Sequence, residues 1–298
     1  MLLPLSGHVN RGTGIRTLPA VNRYQTGLDP RMAAAMAGGV LGIALVALLF
    51  MVRPHTSSAS LGNPAYPIAS YQPPPFEVMG PEGLAAAYQH LGRVTIGGRP
   101  GTLSVSRADD LVLPTGRVGA GDAFFVDAEP FTTMLPAGSH PVFLLNVLEA
   151  GGQSVAAAMV RVEDKHPVRW EGASVRSHPK DVPFAYPVDS GTGSFVSPEA
   201  IARFESLPPE IADSLIDRLL EGYASTPETT FTVSITLDPA SGANLVTFTS
   251  GYGDGGYPSW FGFDASGNPV ALLTSFDLID ESSGQRRRGA SPWPSEGE

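Results

Sequence analysis

The chain has 298 residues, with 19 Lys or Arg against 29 Asp or Glu, a formal charge of −10 and no cysteine. Without cysteine it forms no disulfide and offers no thiolate for catalysis, zinc fingers or iron–sulfur clusters. Four of the basic residues and one acidic residue precede residue 53, so the remainder carries −13. That balance argues against nucleic acid and anionic lipid surfaces as its partners, because both require phosphate to be neutralised by Lys and Arg.

Residues 1–31 carry no hydrophobic periodicity and are expected to form a disordered cytoplasmic tail. Met32–Val52 follows, 21 residues without a charge or a proline. At a rise of about 1.5 Å per residue this run spans roughly 30 Å, the hydrocarbon thickness of a bilayer. It predicts one transmembrane helix over residues 32–52, with the lipid bilayer as its partner. A cleaved signal peptide fits less well, since its apolar core is normally only about 7–15 residues. Arg11, Arg16, Arg23 and Arg31 precede the run against the single acid Asp29, and Arg53 and His55 follow it. The excess of arginine places the N-terminus inside and the C-terminal domain outside the cell membrane, as in a signal anchor. A start at Met32 would remove those four arginines and favour the reverse orientation. Ala34, Gly38 and Gly42 are four apart, a spacing that lets helix backbones approach and predicts a homodimer through Gly38 and Gly42.

Residues 53–75 are rich in Pro and Ser and read as a stalk, stiffened by Pro73-Pro74-Pro75. Residues 76–280 are expected to form one globular domain, and 281–298 a disordered tail containing Arg286, Arg287 and Arg288. Within the domain, Pro81–Leu91 is expected to be helical, with proline in its first turn. Val142–Leu148 and Ser154–Val162 are expected strands on either side of a turn at Glu149–Gln153, and His166–Trp170 a short one. Ser197 is placed to cap a helix over Pro198–Ser206. Pro209–Tyr223 has Ile211, Leu215, Leu219 and Leu220 at helical spacing. Four strands close the domain: Thr230–Leu237, Asn244–Ser250, Tyr257–Phe263 and Val270–Phe276. They are expected to form an antiparallel meander. The fold class is α+β, an antiparallel sheet or meander with a few packing helices.

Val188-Asp189-Ser190-Gly191-Thr192 matches the apolar–Asp–Ser/Thr–Gly–Ser/Thr loop of aspartic proteases, in which two carboxylates share a proton. No second copy occurs, so the simpler expectation is a tight turn whose Asp189 side chain bonds nearby amides. Gly253, Asp254, Gly255 and Gly256 lie in a glycine-dense loop that would allow close approach of a ligand. The alternative is a long hairpin connection. His140, His166 and His178 lack metal-ligand spacing, and Ser154 sits in an expected hairpin rather than at a strand-to-helix elbow. No metal and no cofactor is expected.

Leu111–Val118 with Gly121-Asp122, then Val188–Gly193, then Gly253–Pro258 leading into Gly262–Val270, resemble in this order the bacterial domain-of-unknown-function family 4241. The resemblance covers roughly residues 100–280. After the last strand it departs from the family's Asp-Phe pair, having Ser275-Phe276-Asp277. The resemblance implies no activity and no catalytic residues. The function expected is that of a single-pass membrane-anchored protein with an extracytoplasmic binding or interaction domain and a protein partner at the cell envelope. The alternatives are a hydrolase using Asp189 and Asp254, and a purely structural domain. The balance of features favours a protein that is not an enzyme.

Overall fold

A computed structural model of the chain describes residues 77–162, 165–179, 182–225 and 232–283, all within the unit Ser58–Glu298. In chain order the elements are α1 (Pro81–Ala87), β1 (Arg93–Ile96), β2 (Arg99–Leu113), β3 (Gly119–Asp122), β4 (Gly138–Glu149), β5 (Gly152–Arg161) and β6 (Arg169–Gly172). There follow β7 (Ala185–Val188), β8 (Thr192–Val196), α2 (Pro198–Glu205), α3 (Pro209–Ser225), β9 (Thr232–Asp238), β10 (Ala243–Thr249), β11 (Gly255–Phe263) and β12 (Pro269–Ser275). A 3-10 turn at Glu281–Ser283 closes the series. The fold is α+β with antiparallel sheets. The apolar run 32–52, with Gly38 and Gly42, lies outside the described residues, as do the stalk 53–75 and residues 284–298 of the tail. Among the described residues no helix is long and apolar enough to cross a membrane.

The strands form two sheets. One has the order β1-β2-β4-β5-β12-β11-β6, with β7 also pairing β11; the other has the order β3-β8-β10-β9. The expected four-strand meander is therefore corrected. β9 pairs β10 and β11 pairs β12, but β10 and β11 belong to different sheets. The glycine-dense segment at 250–256 is a crossover between sheets and not a hairpin turn. Its glycines turn the chain sharply, with φ of 57° at Gly251 and 122° at Gly253. A Cβ on Gly251 would lie 2.9 Å from the Cβ of Phe276, so only glycine fits where the crossover passes over β12's exit.

Alternation explains the packing. Phe195 of β8 and Phe248 of β10 meet at a ring separation of 5.0 Å and bury against Leu144, Val160, Phe261 and Leu272 of the larger sheet. A second core forms where α2 and α3 cover the smaller sheet through Val196, Ala200, Leu219, Ile235 and Leu245. Ser197 caps α2 as expected, accepting the amide of Ala200 at 3.2 Å. Ile211 departs from the expected apolar stripe of α3 and is 47% exposed. Just beyond α1, the Tyr88 hydroxyl lies 3.0 Å from the Ala157 carbonyl and 3.2 Å from that of Phe143.

The two ends of the described domain are clasped together. The Met79 amide donates to the Ile279 carbonyl and the Glu281 amide to the Glu77 carbonyl, each at 2.8 Å. The Asp280 carboxylate accepts the amides of Gly97 at 2.8 Å and Gly98 at 3.1 Å, and Ser283 Oγ accepts that of Thr95 at 2.8 Å. The tight β1–β2 turn is thus held by a residue more than 180 positions away.

Candidate functional site

Asp122 ends β3, where it lies opposite Gly193 of β8. Gly119 and Gly121 let this strand approach Ala128, whose Cβ would be 3.1 Å from a Cβ added at either. The Asp122 side chain is thereby sunk to 6% exposure. Its Oδ1 accepts the amide of Phe124 at 2.9 Å and the hydroxyl of Ser190 at 2.8 Å; its Oδ2 accepts the amides of Asp189 and Ser190, each at 2.8 Å. Burial raises its carboxyl above the ordinary aspartate value, and these four donors pull the other way.

The Asp189–Gly191 turn is thus folded around another residue's carboxylate. This corrects the expectation for Asp189: its own side chain is exposed, and Asp122 takes the turn's amides. Gly191 has φ 67°, and a Cβ there would lie 3.4 Å from Gly253 Cα. The Gly191 carbonyl accepts the Ser250 amide at 3.1 Å. Next to it, Gly255 and Gly256 of β11 lie opposite Val188 and Pro187 of β7. The fold therefore brings together the two loops singled out in the sequence.

The Gly253–Gly256 loop is braced from below. The Tyr257 hydroxyl lies 2.6 Å from the Gly253 carbonyl, Ser250 Oγ donates to the same oxygen at 2.9 Å, and the Gly253 amide returns to the Ser250 carbonyl at 2.8 Å. With the Gly253 amide engaged inside the loop and Gly255 and Gly256 in β11, the loop shapes a surface and does not form an amide cradle. Asp254 stands exposed on it. Burial of part of the group, then the charges of Asp189 and Asp122, raise its carboxyl, while the Gly191 amide opposes them.

Tyr252, in the same loop, is 62% exposed. Its hydroxyl donates to Glu149 at 2.5 Å and accepts from Arg99 at 3.3 Å, and Arg99 pairs with Glu149 at 3.2 Å. Burial and the Glu149 carboxylate together push the phenol up to about 12. Neither Asp122 nor this trio was singled out as a site from the sequence. Asp122 belongs to the Gly121-Asp122 stretch of the family resemblance, but only the fold shows what its carboxylate holds.

The other candidates do not join this group. His140 bonds the Pro136 carbonyl at 2.8 Å, His178 packs edge-on against Phe184, and Ser154 lies in β5 opposite Val147. Among the described residues, no three His, Asp or Glu side chains are arranged to hold a metal ion. Depressions of about 200 and 320 Å3 lie elsewhere, one beside Trp170 and one beside Arg93.

Three stretches far apart in sequence, Gly121-Asp122, Val188–Gly193 and Gly253–Pro258, converge here. A family model, described as Protein of unknown function (DUF4241), matches residues 111–274 and so takes in all three. The chain belongs to the DUF4241 family. No match was found among curated proteins or among solved structures. Within the DUF4241 region, chemistry is constrained by what each carboxylate already does. Asp122 has spent its oxygens on four donors and is not available as a base. Asp189 and Asp254 both face solvent on adjoining turns.

Proposed function

We propose that this protein is a binding module, anchored in the cell membrane by residues 32–52 with the C-terminal domain outside. It presents Asp189, Tyr252 and Asp254 to a protein partner at the cell envelope. The observation that carries the reading is the division of labour at Asp122. The buried carboxylate holds the Asp189–Gly191 turn, Ser250 and Tyr257 brace the adjoining Gly253 loop, and the groups those turns display are left to solvent. A rigid, preorganised display lowers the ordering cost of association, and an exposed tyrosine held by neighbours is a typical interface anchor. The −13 charge of residues 53–298 supports a partner surface bearing Lys or Arg. A homodimer through Gly38 and Gly42 would present two such faces side by side.

The test combines topology with capture. Intact cells producing the full chain, as the wild type or as an Asp189→Asn, Tyr252→Phe, Asp254→Asn variant, are treated in one sample with an external protease and in a separate, undigested sample with a cross-linker. The reading expects external digestion and a cross-linked partner that the variant loses. Protection from protease in intact cells sinks the extracytoplasmic part, and an unchanged partner profile sinks the role of the face.

A hydrolase is the second reading, favoured by one observation: the Asp254 carboxyl is raised partly by the charge of Asp189. Two-carboxylate hydrolysis works with carboxyl groups about 5–9.5 Å apart around a bound substrate. A panel of peptide and glycoside substrates, with Asp254→Asn as the inactive control, decides it. Turnover by both proteins or by neither removes the hydrolase.

A further inference from the structure

The depression beside α1 is lined by Glu82 and Ala85 of the helix and by Pro167, Val168 and Trp170. Its floor is set by a glycine. Trp170 of β6 lies opposite Gly262 of β11, where a Cβ would fall 2.7 Å from Pro167 and 3.0 Å from the Trp170 ring. Only a glycine lets the proline and the indole settle onto the strand. Trp260 lies opposite Gly172, two positions along each strand, so both indoles occupy the same face of the sheet. Both are only half-buried, and Val168 is 66% exposed. The depression itself is a small apolar groove with one indole, Trp170, in its wall and an open side at Val168. Such grooves take polyproline II segments, whose rings pack on indoles and whose backbone is already extended.

The described chain begins at Glu77, five positions before Glu82 on the groove wall. Immediately upstream stands Tyr71-Gln72-Pro73-Pro74-Pro75-Phe76. At about 3.1 Å per residue in a polyproline II conformation, six residues span roughly 19 Å, enough to run beside the first turn of α1. We propose that this Pro-rich segment docks in the Trp170 groove as an intramolecular strap. The last part of the stalk then belongs to the domain, and the free spacer is shorter than its sequence implies. The proposal does not rest on the binding function above.

The absence of native cysteine makes the test direct. Pro74→Cys is combined with Val168→Cys in the full chain, and in a control with Ile211→Cys on α3, which is 47% exposed. Docking raises the local concentration of the pair, so dilute oxidation should close the 74–168 disulfide at least roughly tenfold faster than the 74–211 one. Pro73→Ser with Pro75→Ser, which leaves the groove untouched, should bring the first rate down to the second. Equal rates for the two pairs, or a fast 74–168 rate indifferent to the serine substitutions, overturn the proposal. Predominant cross-linking between molecules also overturns it and assigns the groove to a second copy.

Discussion

The backbone amide of Asp189 donates to the carboxylate of Asp122 at 2.8 Å across 67 positions of sequence. The bond joins the last residue of β3 to the β7–β8 turn, and the same carboxylate oxygen takes the Ser190 amide. One side chain thereby fixes the conformation of a loop that the larger sheet shares with the smaller.

Asp122→Asn should therefore be costly despite its small change in shape. An asparagine keeps one carbonyl oxygen and turns an NH2 group toward donors that need an acceptor. Breaking buried hydrogen bonds to a charged group predicts a loss of about 2–4 kcal/mol. Urea unfolding checks it. Ser190→Ala, which removes only the hydroxyl arm, should cost about half as much.

Asp254→Asn should do the opposite at neutral pH. The Asp254 carboxyl is raised by burial and by the charges of Asp189 and Asp122. A group whose folded value is raised favours the fold in acid, and that contribution is lost as pH climbs through the folded value. Replacing it by a neutral amide should stabilise the protein at pH 7. The gain should vanish below about pH 3.9, the unfolded value. Solvent screening at this exposed site keeps the gain under about 1 kcal/mol, and salt should shrink it. Thermal unfolding across pH provides the measurement.

Glycines at positive φ should separate into two groups. Gly267→Ala, at φ 84° with open space around it, pays only the conformational cost of roughly 1 kcal/mol. Gly116→Ala, at φ 79°, would put a Cβ 2.0 Å from the Leu135 carbonyl oxygen. Adding that clash to the dihedral strain predicts a loss above about 3 kcal/mol. The comparison of unfolding midpoints needs only these two variants.

Tyr252→Phe tests the displayed face without touching the core. The ring is retained and the bonds to Glu149 and Arg99 are lost, so stability should change by no more than about 0.5–1 kcal/mol. On the proposed function, cross-linking to the partner should fall by roughly tenfold, the loss expected at an interface anchor. Undiminished cross-linking would remove Tyr252 from the interface.

Asp280→Ala should loosen the β1–β2 turn by leaving the Gly97 and Gly98 amides without their carboxylate. The expected cost is about 1–3 kcal/mol. Hydrogen exchange should accelerate at Gly97 and Gly98 before it does in the β4–β5 hairpin.

Much of the domain was legible because local signals agree. Ser197 before Pro198 marks a capped helix, and the apolar run within Val142–Leu148 marks a strand of the core. β2 was not legible. Its apolar positions at Leu103 and Val105 are separated from Leu111 and Leu113 by Ser106–Asp110, and a bulge between Arg107 and Asp110 shifts the phase of the alternation. β3 was hidden for another reason: Gly-Ala-Gly-Asp carries no strand preference, and its burial follows from the approach of Ala128. The meander failed because alternation tells which face a residue occupies and not which strand lies beside it. Asp189 and Asp254 were visible as residues in glycine turns. Asp122 became visible as the organiser of the Asp189 turn only when the chain was seen to close around it.

The clasp between Glu77–Met79 and Ile279–Glu281 has a mechanical consequence. Tension applied between the two ends of the domain loads its few hydrogen bonds one after another, as in opening a zipper. Such bonds yield singly, whereas strands pulled lengthwise past one another share the load. A pull across both ends would therefore part Met79 from Ile279 and release the Asp280 latch while both sheets stayed intact. The domain would lengthen in a small first step, well before it unfolded.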